Sequence, residues 1–581
     1  MVLPDSSRAT RTLRGAWLFF AATGLALADA VPVRVEPVTA PHGMVVAAHP
    51  EAAAIGVEVL QAGGNAVDAA VAVSLAVGVA EPYGSGLGGK LVLLYHEAAT
   101  GRTQAIEAMD QAGWSLNPET FRKLPEDNRR HGWKSVCVPG LAAGLELAHQ
   151  TWGVRPWADN VRPAIGLARR GFTILPKTRD LFEEREDWLR GDAEISRLYL
   201  PGGNFPEIGS RLPNEDLART MERIAEGGAA AFYRGPVAEA IVAAAQKGGG
   251  FLTLDDFARY VARMVKPVGS SWRDLLIVSG PPPSTGSALM LPILVALEPV
   301  KWSGALRTAE NLDRFGRVWQ QVQPRVASSV ADVPEARDNI AAMLGEKFIT
   351  EVRQKAGLVP APKNAARFLD EPGAFTASIA AESGESNDST THFIVVDAQG
   401  NIVCATQSLS LHFGAGVVAP GTGVVLNDTM SNFAFSNPRR VNFLAPGKRP
   451  RSTVTPTIVL RDKRPVLALG IPGAQRIPTA VTQVLLDHFA FNRPLAEAIG
   501  DTRLHPVNPV LSDDPNNVFE TEESLPAGVA TGLAQLGWKV ERKEPAGTGR
   551  HFGGLNAIEL HPDGSRTGYA DPRRTNAAAG Y

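Results

Sequence analysis

The amino-acid sequence predicts an α+β fold, a sandwich of four layers in the order helix, sheet, sheet, helix. Helical and strand-like segments fall in separate blocks, without the strict strand–helix alternation of a doubly wound sheet. The chain has 581 residues, more than a usual single core, so two domains or one large layered unit is expected. No repeat of solenoid period is visible. These observations together favour the layered sandwich.

Helices dominate the first part of the chain. Residues 49–62 and 67–80 are apolar on nearly every side, which is typical of helices buried between other layers. Gly63-Gly64-Asn65, between the two stretches, matches a signal that ends a helix. Further helices are predicted at 141–150, 237–246 and 308–321.

Strands dominate the chain after residue 390. An apolar run at 91–95 predicts one earlier buried strand. Residues 360–389 are rich in Pro, Ala, Gly, Ser and Glu and have little periodicity, which predicts a linker. Beyond it, alternating patterns predict strands at 393–397, 402–411, 423–426, 457–460 and 466–469.

The first thirty residues resemble a secretory signal peptide. Three arginines precede an apolar run at 15–28, which is too short for a comfortable membrane span, and Ala28-Asp29-Ala30 fits an A-x-A cleavage signal. The alternative is an uncleaved membrane anchor. We expect residues 1–30 to be removed, so that the mature protein is periplasmic or secreted without stable membrane insertion.

Composition excludes several classes of partner. The formal net charge is -2, which gives no electrostatic reason to expect nucleic acid or an anionic membrane. Two cysteines, Cys137 and Cys404, cannot build a disulfide framework or a cysteine zinc site. The eleven histidines show no metal-binding spacing, so neither a metal nor another cofactor is expected.

A glycine-rich motif, Gly84-Ser85-Gly86-Leu87-Gly88-Gly89-Lys90, formally matches G-x-G-x-x-G. A nucleotide site needs a strand before this motif and a helix after it, so that phosphate meets a helix N-terminus. The predicted order is the reverse, and Leu91 replaces the Ser or Thr that would hold Mg²⁺. The motif therefore predicts a tight backbone turn.

A predicted hairpin begins at Thr390. Residues 390–397 and 402–408 alternate around a turn near Gln399, and antiparallel pairing places Thr390 opposite Ser408 to within one residue. Such a pair is most often a simple cross-strand hydrogen bond. Here the predicted linker ends at the Ser389-Thr390 peptide, so strain could expose that bond to the threonine hydroxyl. Cleavage there would give Thr390 a free amine with a pKa of about 7.7–8.0, able to accept the hydroxyl proton.

At this point the sequence strongly resembles the γ-glutamyltranspeptidase family of N-terminal-nucleophile hydrolases. The matching motifs occur in order between residues 43 and 581. They are Gly43-Met44-Val45-Val46-Ala47 with His49-Pro50, Gly63-Gly64-Asn65-Ala66-Val67-Asp68-Ala69-Ala70, Val138-Pro139-Gly140, Phe232-Tyr233-Arg234-Gly235, Pro281-Pro282-Pro283-Ser284-Thr285-Gly286, Thr390-Thr391-His392, Arg449-Pro450, Thr455-Pro456-Thr457 and Ala570-Asp571-Pro572-Arg573-Arg574.

The resemblance implies an αββα fold and autocatalytic cleavage between Ser389 and Thr390. The products would be a large subunit, 31–389, and a small catalytic subunit, 390–581, both from one precursor. Thr390 would be the nucleophile, and Ser408 stands where the family has a second threonine bonded to it. Backbone N–H groups of Gly473 and Ala474 would form the oxyanion hole, provided that residue 474 needs no positive φ.

Substrate contacts implied by the resemblance are only partly kept. Ser452 and Thr453 stand where the family has paired serines that bind the substrate carboxylate, and Ser410 and Thr429 replace two amide or acidic contacts. Met109 stands where the family has an arginine that binds the α-carboxylate, and a thioether cannot replace it. Asn432 replaces the acid that binds the substrate amine. The basic residues Arg439, Arg440, Lys448 and Arg451 are expected on a solvated loop; the alternative is that one of them substitutes for the missing arginine.

Three functions follow from this pattern. The leading interpretation is a γ-glutamyltransferase-like hydrolase or transpeptidase that cleaves γ-glutamyl amides such as glutathione through a threonine acyl-enzyme. An acylase of the same family would cleave a different amide, of glutaryl or acyl β-lactam type. A catalytically silent relative would act as a binding protein.

Overall fold

The computed structural model describes residues 33–359, 389–507, 517–543 and 551–581. The predicted signal peptide and nearly all of the predicted linker lie outside these ranges. Within them, two seven-stranded sheets are stacked face to face, and helices cover the outer face of each sheet. The predicted four-layer αββα sandwich is therefore confirmed.

The first large sheet contains the predicted hairpin at its centre. Its strand order is β19-β2-β10-β11-β3-β4-β7, and all of its neighbouring strands are antiparallel. The strands are β2 Met44–Ala48, β3 Lys90–Glu97, β4 Arg102–Ala108, β7 Arg263–Val265, β10 Ser389–Val396, β11 Ile402–Ser410 and β19 Asn576–Gly580.

The second large sheet has the order β1-β18-β17-β13-β12-β9-β8 and is also antiparallel. Its strands are β1 Pro37–Ala40, β8 Val268–Trp272, β9 Leu275–Ser279, β12 Thr457–Arg461, β13 Arg464–Gly470, β17 Asn556–Leu560 and β18 Arg566–Ala570. Two small sheets contain β14 Leu504–Val507, β15 Asn517–Thr521 and β16 Trp538–Arg542, and β5 Phe172–Thr173 and β6 Arg211–Leu212.

The two helical layers come from different parts of the chain. The first consists of α1 Pro50–Gln61, α2 Ala66–Ala80, α3 Pro118–Arg122, α4 Glu126–Arg130, α5 Leu141–Trp152, α6 Trp157–Arg170, α7 Pro176–Glu184, α8 Glu186–Gly191, α9 Ala193–Tyr199, α10 Glu215–Gly227, α11 Ala230–Tyr233, α12 Pro236–Lys247 and α13 Leu254–Ala258. The second consists of α14 Gly286–Leu297, α15 Ala309–Ser329, α16 Ala336–Leu344, α17 Glu346–Lys355, α18 Ile477–Leu485, α19 Leu495–Gly500 and α20 Ala527–Gln535. Within the described ranges, no helix combines the length and apolarity needed to cross a bilayer.

Strand β10 connects two of the hydrophobic cores, because its alternate side chains pack into different ones. Phe393 and Val395 point into the core shared with the first helical layer. Ile394 and Val396 point the other way, into the core between the two sheets. Successive side chains of a strand point to opposite faces of the sheet. A strand that lies between two cores must therefore carry apolar residues on both faces. Every residue of β10 is buried, so the site at its start rests on a rigid element.

Helix α2 confirms the prediction of a buried helix at 67–80. Fourteen of its residues are buried. Asn65 caps its first turn by accepting from Val67 N and Asp68 N, and the carboxylate of Asp68 accepts from Asn65 N. Ala62 and Gly63 end the preceding helix, with Gly63 at φ 87°. The predicted end of the first helix at Gly63-Gly64-Asn65 is therefore confirmed.

One predicted strand, at 423–426, is wrong. The structure has only isolated bridges there, Val418 with Val425 and Gly88 with Leu426. Gly421 and Gly423 have φ values of 77° and 67°, which turn the chain and prevent a continuous ladder. The apolar pattern reflects burial of a loop.

Replacement of Gly89 by alanine tests the close approach of the glycine motif to β11. An added Cβ would lie 2.2 Å from the carbonyl oxygen of Ser408, so backbone would have to move. We expect Gly89→Ala to lower the free energy of unfolding by about 1–3 kcal/mol. Thermal or urea unfolding measures the change.

The matched control is Gly528→Ala, in helix α20. A Cβ there meets no atom within 4 Å, and alanine favours a helix. We expect no loss of stability in this control. Equal behaviour of the two variants would contradict the packing argument.

Candidate active site

The site begins with the register of β10 and β11. Thr391 pairs with Gln407, and a bulge before it lets Ser389 pair with Ser410. The hydroxyl oxygens of Thr390 and Ser408 consequently lie 3.1 Å apart. The predicted hairpin is thus confirmed, and it brings together the two hydroxyls that the sequence had placed opposite each other.

Both hydroxyls converge on the peptide that the sequence predicts to be cleaved. Thr390 Oγ1 donates to the carbonyl oxygen of Ser389 at 2.5 Å, and Ser408 Oγ donates to the same oxygen. Ser408 Oγ in turn accepts from the backbone N–H of Ser410 at 3.0 Å. Two donors on one carbonyl oxygen polarise the carbonyl and would stabilise negative charge on it.

The glycine-rich loop after α2 supports the start of β10. Ser389 Oγ lies 2.5 Å from the carbonyl oxygen of Tyr83 and 2.7 Å from that of Gly84, so its hydroxyl donates to this loop. Thr391 Oγ1 donates to the buried carboxylate of Glu81 at 2.8 Å. A helix precedes the motif and a strand follows it, as predicted. Its glycines let neighbouring backbone segments lie close to the loop, where a Cβ atom would clash.

A cavity of about 150 Å³ opens beside Thr390. A cavity of about this volume accommodates a ligand the size of benzene, so a short acyl chain fits. The predicted site residues that line it are Thr390, Ser408, Ser410, Asn432, Ser452, Thr453 and Ala474. Gly473, Thr429, Ser389 and Met109 are not among its lining residues.

Met109 is placed differently from the expectation of a substrate contact. Its side chain is fully buried in a small cluster with Val92 and Val454. The backbone fixes this orientation, since Met109 N donates to Glu107 Oε1 at 2.9 Å and Tyr260 donates to Met109 O at 2.7 Å. Met109 is therefore a packing residue in this structure.

The predicted oxyanion turn has left-handed backbone at both residues. Gly473 has φ 136° and Ala474 has φ 41°. Thr453 Oγ1 donates to Ala474 O at 2.6 Å, which links the turn to the cavity wall. Ala474 thus has the positive φ that the predicted oxyanion hole was meant to avoid, and an L-residue holds this conformation at a cost of about 1–2 kcal/mol. The two residues remain candidates for the hole, because a backbone N–H group donates whatever the side chain.

Lys90 is a functional candidate that the sequence analysis missed. It is almost fully buried, and its ammonium donates to Ser410 Oγ and, at 3.3 Å, to Thr429 Oγ1. Asp110 lies 3.5 Å from the ammonium and accepts from Thr429 Oγ1 at 2.6 Å. These four residues form a charge-paired floor behind the cavity. The sequence does contain one indication of this role, since Lys90 is a charged residue directly before the apolar run at 91–95.

Burial raises the pKa of Asp110 to about 6, against the opposing effects of Lys90 and Thr429. Burial also raises the pKa of Asp428 to about 6, although Leu411 N and Ser431 Oγ donate to its carboxylate. Asp110 in the floor, and Asp428, which feels the charge of Lys90, therefore both titrate near neutrality, which is a frequent property of functional sites.

The basic loop also differs from the expectation. Arg439 is exposed, but Arg440 and Arg451 line the cavity. Arg449 is buried and forms an ion pair with Glu107, and Lys448 donates to backbone carbonyls of Val441 and Phe443. Among the described residues, no Asp or Glu lines the cavity, so the balance of charge on its wall is positive.

Histidines near the site are structural. His392 is fully buried and its ring bonds to Thr406 Oγ1 at 2.8 Å, and burial lowers its pKa to about 3. In the part of the chain that the structure describes, no group of three or more His, Cys, Asp or Glu side chains could hold a metal ion.

The αββα layers and the threonine at the head of a central hairpin define an N-terminal-nucleophile hydrolase. The sequence model of the family described as gamma-glutamyltranspeptidase matches residues 52–581. The chain belongs to this family and is an N-terminal threonine hydrolase.

Relatives within the family carry two kinds of name. The chain is 33% identical to the acylase ACY 1 proenzyme of Pseudomonas sp. (strain SE83), over 92% of this chain and 93% of the relative. It is 30% identical to the glutathione hydrolase proenzyme of Bacillus subtilis (strain 168), over 93% and 91%. The crystal structure of cephalosporin acylase from Bacillus halodurans superposes with a TM-score of 0.81 at 25% identity, covering 95% of this chain and 98% of that one.

Lys90→Met tests the buried ion pair of the floor. Removal of one partner leaves the other charge unpaired, which typically costs about 3–5 kcal/mol. We expect a lower thermal midpoint at pH 8 and a smaller loss at pH 5, because Asp110, with its pKa near 6, is neutral there. The double variant Lys90→Met/Asp110→Asn should recover most of the loss. A single variant as stable as the parent at pH 8 would contradict the pairing.

Ala474→Gly and Ala474→Val test the left-handed turn. Glycine relieves the strain at φ 41° but adds freedom to the unfolded chain, so stability should stay within about 1 kcal/mol of the parent. Valine is β-branched and should destabilise by about 1 kcal/mol or more. Thermal unfolding of the three proteins measures both changes. Equal midpoints for the valine variant and the parent would show that the turn can adopt another conformation.

Proposed function

We propose that the chain cleaves itself between Ser389 and Thr390 and then uses Thr390 to cleave γ-glutamyl amides such as glutathione. The observation that carries this proposal is the geometry at the Ser389 carbonyl, on which the hydroxyls of Thr390 and Ser408 converge. The relatives named proenzymes support a precursor that is processed.

Self-cleavage follows from this geometry as an N-to-O acyl shift. Thr390 Oγ1 attacks the carbonyl carbon of Ser389, while Ser408 donates to the oxygen that gains negative charge. The bond to Thr390 N breaks, the nitrogen takes a proton, and the acyl group remains on Oγ1 as an ester. Water then hydrolyses the ester, which leaves a carboxylate on Ser389 and a free hydroxyl and amine on Thr390.

Substrate cleavage repeats the chemistry with the new amine as base. The amine accepts the proton of Thr390 Oγ1 as this oxygen attacks the substrate carbonyl. Backbone N–H groups at Gly473 and Ala474 and the hydroxyl of Ser408 would stabilise the oxyanion. The substrate C–N bond breaks, the leaving amine takes a proton, and water or an acceptor amine releases the acyl group.

An acylase for an amide without an α-amine is the second candidate. It is favoured by the cavity wall, where Asn432 stands and where no carboxylate among the described residues would pair with an ammonium group. The relatives named acylases support the same alternative. Both candidates share Thr390, Ser408 and the same acyl-enzyme route.

We further propose that residues 1–30 direct export and that the mature protein acts in the periplasm or outside the cell. Residues 31–389 and 390–581 would then remain associated as large and small subunits. The structure supports their association, because β10 and β11 of the small subunit lie between β2 and β3 of the large one.

Thr390→Ala tests the nucleophile. We expect the parent to give two bands on a denaturing gel and the variant to remain a single chain without amidase activity, since it lacks the attacking oxygen. Thr390→Ser keeps a hydroxyl and should still be processed. Thr100→Ala, at an exposed turn, is the control and should behave as the parent. Mass spectrometry locates the cut, and an intact Ser389-Thr390 bond in active protein would refute the mechanism.

A further inference from the structure

Arg451 occupies an unusual position for a basic loop residue. Its side chain lines the cavity that contains Thr390, next to Ser452 and Thr453 in sequence. Its guanidinium has a single hydrogen bond to protein among the described residues, from Nη1 to the carbonyl oxygen of Ala327 at 3.1 Å. Its backbone N–H donates to Asn442 Oδ1, which anchors the loop at this point. A guanidinium has five N–H donors, so most of its capacity is available to a ligand.

The charge of Arg451 is not balanced by the protein around it. Within the described ranges, no carboxylate forms an ion pair with Arg451, and none lines the cavity. Burial, with a smaller contribution from nearby Arg440, lowers the pKa of Arg451 to about 10. The group is still cationic at neutral pH. Arg451 is half-buried in the cavity wall, so part of the hydration of its guanidinium is lost without a carboxylate to replace it, and an anionic ligand would supply that partner.

Lys90, a buried cation near the cavity, does not serve as a site for an anionic ligand. Lys90 is already paired with Asp110, its ammonium donates to Ser410 and Thr429, and Lys90 is not among the residues that line the cavity. Met109, at the position of the family's arginine, is packed against Val92 and Val454. Arg451 approaches the cavity from a separate segment of chain, the one that also contributes Ser452 and Thr453.

We propose that Arg451 binds a carboxylate on the acyl part of the substrate, so that the protein selects amides of dicarboxylic acids and does not require an α-amine. The inference rests on the proposed amidase function. A guanidinium can grip a carboxylate through two parallel N–H bonds, and the hydroxyls of Ser452 and Thr453 can complete its hydrogen bonding. The glutaryl group and the γ-glutamyl group both carry such a carboxylate and differ only in the amine.

The side chain of Asn432 explains why the substrate amine is dispensable. Asn432 lines the cavity and donates from Nδ2 to Ser410 Oγ at 3.2 Å. This amide can bond to an ammonium group but supplies no charge to balance it. The guanidinium of Arg451 repels an added positive charge on the ligand, so a neutral methylene is accepted at least as well.

Kinetics on three p-nitroanilides of purified, processed protein test the proposal. Pentanoyl anilide has the same chain length as glutaryl anilide but lacks the carboxylate, and γ-glutamyl anilide adds the amine. We expect the parent to prefer glutaryl over pentanoyl by about tenfold or more in kcat/KM, from a charge-assisted contact. Its activity on γ-glutamyl anilide should equal or fall below that on glutaryl anilide.

Arg451→Gln should raise KM for the glutaryl anilide by about tenfold or more and leave the pentanoyl anilide within about twofold. Arg451→Lys keeps the charge and should retain part of the preference. Arg439→Gln, which removes an exposed arginine from the same loop, is the matched control and should match the parent. An unchanged ratio of glutaryl to pentanoyl activity in Arg451→Gln would overturn the proposal.

A binding measurement separates failure of this inference from failure of the proposed function. Calorimetric titration with glutarate should detect binding to the parent and a Kd about tenfold weaker or more for Arg451→Gln. Equal affinities would overturn the role of Arg451 whatever the kinetics show. Conversely, processed parent protein that binds glutarate through Arg451 but cleaves none of the three anilides would refute the amidase function alone.

Discussion

The antiparallel pairing of β10 with β11 is the constraint on which the site depends. It fixes Thr390 Oγ1 3.1 Å from Ser408 Oγ and directs both hydroxyls at the carbonyl of Ser389. A shift of one residue would turn every side chain of β10 to the other face and exchange the two cores. Apolar residues on both faces of the strand therefore hold the register that the chemistry needs.

The hairpin and the nucleophile could be predicted because their signals are local. Alternation on each side of the turn at 397–401 sets the register, and the change in composition at residue 390 marks the start of the strand. The buried helix α2 was equally clear, since its length and continuous apolarity leave few alternatives. The strand predicted at 423–426 failed because an apolar loop and a short strand share the same pattern.

The cavity wall and the residues packed behind it could not be predicted from local signals, because they come from separate segments. Lys90 and Asp110 belong to β3 and to the chain after β4, and their pairing depends on tertiary packing. Arg451 was expected in solvent, since sequence reveals that a loop is basic but not which side chain turns inward. Met109 stands where the family has a residue that contacts the substrate. In this chain its backbone forms two hydrogen bonds and its side chain packs in an apolar cluster.

In the proposed mechanism, the groups that act on the reaction differ from those that select the acyl group. Ser408 and the turn at Ala474 would offer uncharged donors to the reacting carbonyl, and such preorganised dipoles stabilise charge that develops only in the transition state. Arg451 belongs to the cavity wall, so a carboxylate held there contributes equally to the ground state and the transition state and acts mainly on KM. In the same proposal, self-cleavage uses only the first set, because its acyl group is the chain itself. Changes in the wall would then alter which amide is accepted and leave the maturation chemistry unchanged, in keeping with relatives that carry both hydrolase and acylase names.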